Sequence, residues 1–145
     1  LRILEELQRD SAQSQRALSD RIGLSQNACW RRLKSLEAAK ILRNRTVVLD
    51  RKQLGIGLVV FVMVRTRDHS SDWLKNFRHH VATIPEVIDF FRIGGDYDYL
   101  LKIVTRDMES YDAIYIRLIE RIELETVTSY FAMEAIEEQR PIPLT

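Results

Sequence analysis

Apolar residues over the first forty positions recur at intervals of three and four: Ile3, Leu4 and Leu7, then Leu18 and Ile22, then Cys29, Leu33 and Leu36. Residues so spaced share one face of a helix, so the pattern predicts three short amphipathic helices. The first ends near Asp10 and Ser11. Because Leu1 already lies inside its helical pattern, residues preceding Leu1 are expected. Gly23 can take the left-handed conformation that closes the second helix, and Leu24 fills the turn. Ser25 then stands where a hydroxyl accepts an amide of the next turn and starts the third helix. Gln26, Asn27, Trp30, Arg31 and Lys34 point away from the Cys29, Leu33 and Leu36 stripe. Two short helices around a glycine turn, the second loaded with amide and basic side chains, predict a helix-turn-helix that reads DNA.

Beyond Lys40 the period changes. Thr46, Val47, Val48 and Leu49 are β-branched or apolar, and Arg43 and Arg45 fall near the tip of an expected hairpin, which makes the module a winged helix-turn-helix. Glycines flank Ile56, and a boundary is expected between Leu54 and Gly57, giving domains 1–55 and 56–145.

From Gly57 to Thr66 the run GLVVFVMVRT is a valine-rich strand, too short to span a membrane. Either Val60, Val62 and Val64 or the alternate set Val59, Phe61 and Met63 faces the helices. Ser70, Ser71 and Asp72 are caps for a helix carrying Trp73, Leu74, Phe77, Val81 and Ile84, which Pro85 stops. VIDFFRI is a second strand, Gly94 to Asp96 a turn, and Tyr97 to Thr105 a third strand in hairpin with the second. Asp107 opens a helix through Tyr111, Ile114, Tyr115, Leu118 and Ile122, and Val127 to Ile136 forms the last strand. The order βαββαβ is ferredoxin-like, an α+β sheet with helices on one face and the other bare. A second copy of the same face is the simplest cover, so a two-fold dimer is expected.

The formal net charge is only +1, but residues 1–55 hold twelve Lys or Arg against six Asp or Glu, and residues 56–145 hold ten against fifteen. A basic first module suits phosphate, and the acidic remainder would be repelled by DNA. Ser25, Gln26, Asn27, Arg31, Arg32, Lys34, Arg43 and Arg45 are the candidate DNA contacts. Most of them should touch phosphate, while Gln26, Asn27 and Arg31 can pair with base edges. Packing against the first helix is the expected place of Trp30. One cysteine excludes a disulfide framework. On its apolar stripe, Cys29 reads as a small buried hydrophobe more than a redox sensor. His69, His79 and His80 lack metal-ligand spacing, so no metal or cofactor is expected. With no apolar run or signal peptide, a cytoplasmic protein is expected.

These pieces in this order, SxRxGLSxxxCWRRLKSLE from Ser19 to Glu37, QLG from Gln53 to Gly55, GDYDYLLKI from Gly95 to Ile103, DMESY from Asp107 to Tyr111 and FAMEAI from Phe131 to Ile136, resemble the Lrp/AsnC family of feast/famine transcriptional regulators. The resemblance spans nearly the whole chain. It implies a RAM-type carboxy-terminal domain that binds an amino acid, and dimers that assemble further, often into octamers. By the same resemblance the effector meets Gly95, Asp96, Tyr97, Asp98 and Thr128 at contacts between dimers. HSSDW, His69 to Trp73, together with SYFAMEAI resembles the cysteine-responsive subgroup, making cysteine the first expected effector and leucine or another apolar amino acid the second. Arg31 stands where many relatives carry an acidic or neutral residue, which leaves the operator sequence open. An architectural DNA-wrapping protein without ligand control is the alternative. An enzyme is a weaker one: Asp96 and Asp98 could pair as catalytic carboxylates, but a glycine turn accounts for Asp96, and no nucleophile elbow, phosphate loop or metal spacing is present.

Overall fold

The structure, a computed structural model, describes residues 1–144. The chain forms two compact units, Leu1–Val48 with Ile136–Thr145, and Leu49–Ala135.

In the first unit, α1 (Arg2–Arg9), α2 (Gln15–Ile22) and α3 (Gln26–Ala38) follow the apolar period. Ile3, Leu18, Ile22, Cys29 and Leu33 are buried together, with Leu7, Leu24, Leu36 and Leu42 packed around them. Serine hydroxyls start both later helices: Ser14 accepts from the Ala17 amide at 3.1 Å and Ser25 from the Ala28 amide at 3.2 Å. Gly23 ends α2 at φ +71, a conformation costly for any residue with a Cβ. The tail returns to α1, where the Gln8 side-chain amide pairs with the backbone of Ile142, donating to its carbonyl at 3.0 Å and accepting from its N–H at 2.7 Å.

The segment after α3 differs from the expected hairpin. Among the described residues no strand pairs between Leu42 and Gly57. Val47 and Val48 are each 77% exposed in a stretch without regular secondary structure. The physical reason is that only one apolar run exists there. Asp50 takes the amides of Lys52 and Gln53 into a turn, and no second run follows in register to form the other strand.

The second unit is a four-stranded antiparallel sheet, β1 (Leu58–Arg65), β2 (Val87–Arg92), β3 (Tyr99–Thr105) and β4 (Thr126–Phe131), in spatial order β2-β3-β1-β4. Helices α4 (Ser71–Ala82) and α5 (Met108–Ile119) pack on one face. Ser70 caps α4, and Asp107 caps α5, its carboxyl held below the ordinary range by the Ser110 backbone N–H. Val60, Val62 and Val64 are fully buried with Phe77, Leu101, Ile103 and Leu118, so this set faces the helices. Trp73 and Phe77 stack at 4.9 Å, and Tyr99 meets both rings.

Strand alternation puts Val59, Phe61, Met63 and Arg65 on the opposite face, beside Leu100 and Val104 of β3, Phe91 of β2, and Thr126, Thr128 and Tyr130 of β4. On this face Phe91 and Tyr130 remain 56% and 53% exposed, while Val59 at one end is buried. The last strand is shorter than the pattern predicts. The Ala132 N–H reaches the Val59 carbonyl, and β1 begins one residue earlier, so the chain past Ala132 has no strand left to pair with.

Candidate functional site

Two groups of residues carry chemistry. The first surrounds α3. With Cys29 and Leu33 turned into the core, Gln26, Asn27, Trp30, Arg31, Arg32 and Lys34 are all exposed along the remaining circumference. Arg43 and Arg45 are exposed in the irregular segment that follows α3. Glu37 ties two of these cations together, 3.4 Å from Lys34 Nζ and 3.7 Å from an Arg45 guanidinium nitrogen. Trp30 is not part of the buried helical core. It stands 48% exposed, with Lys34 Nζ 5.9 Å from its ring centroid. The i,i+4 spacing of the pair explains the contact. Cys29 has no solvent access, and burial pushes its thiol above the ordinary range, as suits a packing residue and not a reactive one.

The second group gathers at one end of the sheet, around the turn between β2 and β3. Gly95 sits at φ +125, a backbone state open to glycine and rarely to other residues. Asp98 locks the turn to the end of β1. Its N–H donates to the Val64 carbonyl at 2.8 Å, its carbonyl accepts from Ile93 at 2.8 Å, and its carboxylate accepts from the Thr66 amide at 2.9 Å. Asp98 is therefore a structural anchor of the turn as well as a candidate ligand. The Asp96 side chain is exposed, while its carbonyl accepts from Arg65 Nε at 2.7 Å. The Tyr97 hydroxyl lies 3.3 Å from Thr128 Oγ1 and near the Tyr130 hydroxyl. Those hydrogen bonds, with the Arg65 guanidinium nearby, hold the Tyr97 phenol below its ordinary range; the shared bond raises Tyr130. Gly95, Asp96, Tyr97, Asp98 and Thr128 thus come together, joined by Tyr130 and by Arg65, which none of the quoted family motifs contains. Only the alternation of β1 against β4 places Arg65 on this corner.

The run from His69 to Trp73 serves the fold: Ser70 caps α4, and Trp73 packs against Phe77 while its indole N–H donates to the Glu123 carbonyl at 3.2 Å. Among the described residues no cluster of three His, Cys, Asp or Glu could hold a metal, and no helix is long and apolar enough to cross a membrane.

Two family models match the chain, a winged helix-turn-helix DNA-binding domain over residues 1–43 and the Lrp/AsnC ligand binding domain over residues 59–142. The glutamate uptake regulatory protein of Zymomonas mobilis is 43% identical over 144 residues, 99% of this chain and 88% of that protein. The DNA-binding transcriptional activator DecR of Escherichia coli is 40% identical, over 99% of this chain and 95% of its own length. Among solved structures, an AsnC family transcriptional regulator from Agrobacterium tumefaciens superposes with a TM-score of 0.94 at 42% identity, covering 98% of this chain and 93% of that one. A Neisseria meningitidis transcriptional regulator in complex with L-methionine superposes at 0.92 and 31% identity, covering 98% and 92%.

Proposed function

The chain belongs to the Lrp/AsnC family of transcriptional regulators, and from that premise we propose that α3 reads duplex DNA while an amino acid at the Gly95–Asp98 turn sets how tightly that DNA is held. The observation that carries the first half is the division of α3 into a buried apolar stripe and a continuous exposed face of amide, indole and cationic side chains. Gln26 and Asn27 open the helix, where a recognition helix meets base edges, and Arg31 follows one turn on from Asn27. Arg32, Lys34, Arg43 and Arg45 supply phosphate contacts. Because the Ser25 hydroxyl is occupied in capping, its contribution to DNA is the orientation of the N-terminal amides that follow it. Residues 1–55 form the DNA-reading module in this account, and 56–145 the effector and assembly module.

The bare face of the sheet, with Val59, Phe61, Met63, Leu100, Val104 and Phe91, supports a two-fold dimer formed by that face against its copy. By family likeness, dimers assemble further, as in octamers. The effector is an amino acid. Cysteine is the first candidate from the resemblance to the cysteine-responsive subgroup, and the L-methionine complex of the Neisseria relative supports an apolar, sulfur-bearing side chain as the second. The reading is a cytoplasmic regulator and not an enzyme.

Thermal unfolding of the full chain against each of the twenty amino acids tests the effector half. One of them at a hundred times its Kd stabilises the fold by about 2.7 kcal/mol. If none raises Tm, effector binding is refuted.

A further inference from the structure

Arg65 ends β1 on the bare face of the sheet, opposite Thr126. Two contacts fix its guanidinium: Nε donates to the Asp96 carbonyl at 2.7 Å, and Cζ lies over the Tyr97 ring, 5.1 Å from its centroid. Together they occupy one of five N–H donors, leaving the two terminal nitrogens beside the turn. Among the described residues no carboxylate is paired with Arg65, although fifteen Asp and Glu populate residues 56–145. An arginine held in a defined plane with its fork unoccupied matches a carboxylate bidentately. Across the Arg65–Asp96 hydrogen bond lies the opposite charge, the exposed Asp96 carboxylate, and the N–H groups of Gly94 and Gly95 have no partner among the described residues.

We propose that Arg65 holds the α-carboxylate of the amino-acid effector and that Asp96 takes its ammonium, so that the site requires a free zwitterionic head group. This rests on the reading of the Gly95–Asp98 turn as the effector site and adds to it the residue that recognises the acid. The charges also constrain the side chain. Asp96 and Asp98 already outnumber Arg65, so a second carboxylate on the effector meets net negative charge, and a neutral amino acid is favoured over an acidic one.

A strap that merely steadies the turn would also use Arg65, and the two roles separate by comparing acids with their amides. The full chain is titrated calorimetrically with L-cysteine, L-methionine and L-leucine, and with the carboxamide of each, for wild type and for Arg65→Met and Arg65→Lys. Wild type is expected to prefer acid over amide by about tenfold or more, the scale of a charge-assisted bidentate contact. Arg65→Met should weaken acid binding and bring that preference below about threefold, with Arg65→Lys recovering part of it. Should Arg65→Met bind too weakly for a ratio, Arg65→Lys decides: an acid preference reduced from that of wild type supports the anchor, and one equal to that of wild type overturns it. Equal weakening of acid and amide in Arg65→Met, with the wild-type preference intact, assigns Arg65 a structural role and overturns the inference while leaving the effector turn standing. If wild type binds none of these ligands and no other amino acid, the effector reading fails, and this inference with it.

Discussion

Removing Arg31 and Lys34 together should flatten the salt dependence of DNA binding by an amount that the geometry bounds. Both side chains are exposed on the same helix, and the proposed two-fold dimer would present each twice, so the double alanine variant removes up to about four phosphate contacts. At about 0.9 per neutralised phosphate, the slope of log K against log salt falls by at most about 3.6. Lys34 is not fully available, because it already lies 3.4 Å from Glu37 and must exchange that partner for phosphate. If only Arg31 counts, the fall is about 1.8, so the expected range runs from about 1.8 to 3.6. Over a fourfold change in salt, between about 50 and 200 mM, wild type should lose roughly 12 to 150 times more affinity than the variant. Fluorescence anisotropy on a duplex that the protein selects from a random pool, repeated across that range, reads the slope directly. A variant whose slope matches wild type would refute phosphate contact by these residues, whatever happens to the affinity at a single salt concentration.

Asn27→Ala should act differently, costing about 1 to 3 kcal/mol on selected DNA and far less on random DNA, as competition binding would show; equal losses on both would exclude base reading. Asp98→Ala should lower unfolding stability by about 1.5 to 3 kcal/mol through loss of the Thr66 bond, whereas Asp98→Asn, which keeps an acceptor, should cost less in a urea titration. Phe61→Glu on the bare sheet face should dissociate the assembly in sedimentation velocity with the fold intact by circular dichroism; an unchanged sedimentation coefficient would exclude that face as the interface. Burial raises the Cys29 thiol in the folded chain above its unfolded value, so its contribution is complete below about pH 8.5 and is lost as pH rises towards the raised value; urea midpoints of wild type should therefore fall more between neutral and alkaline pH than those of Cys29→Ala.

The parts of the fold legible in the sequence are those set by neighbours along the chain. Ser25, Ser70 and Asp107 announce helix starts because a capping side chain bonds an amide only three residues on. The period of Leu18, Ile22, Cys29 and Leu33 likewise fixes which side of the helices is buried. What depends on a distant partner is not legible. Alternation shows that β1 has two faces, but only packing against Phe77 and Leu118 decides that Val60, Val62 and Val64 meet the helices. That decision is what sends Arg65 to the bare face beside the turn. FAMEAI continues a strand pattern beyond the point where β1 can pair with it, so β4 stops at Phe131. The Gln8 pairing with Ile142 joins residues 134 positions apart, and no local signal marks it. Trp30 reads as a packing residue by composition, yet its place on α3 puts it opposite the buried stripe, on the face of Arg31 and Lys34.

The central claim is that amino-acid binding at the turn and DNA binding at α3 are coupled, and calorimetric titration of the amino acid into the full chain, with and without its selected duplex, tests it most directly. A ligand shifts an assembly only through its differential affinity for two states, and the coupling is reciprocal. The account predicts that DNA changes the amino-acid Kd by the same factor by which the amino acid changes the DNA Kd, on the order of 5-fold to 150-fold. An amino-acid Kd that is identical with and without DNA would contradict it.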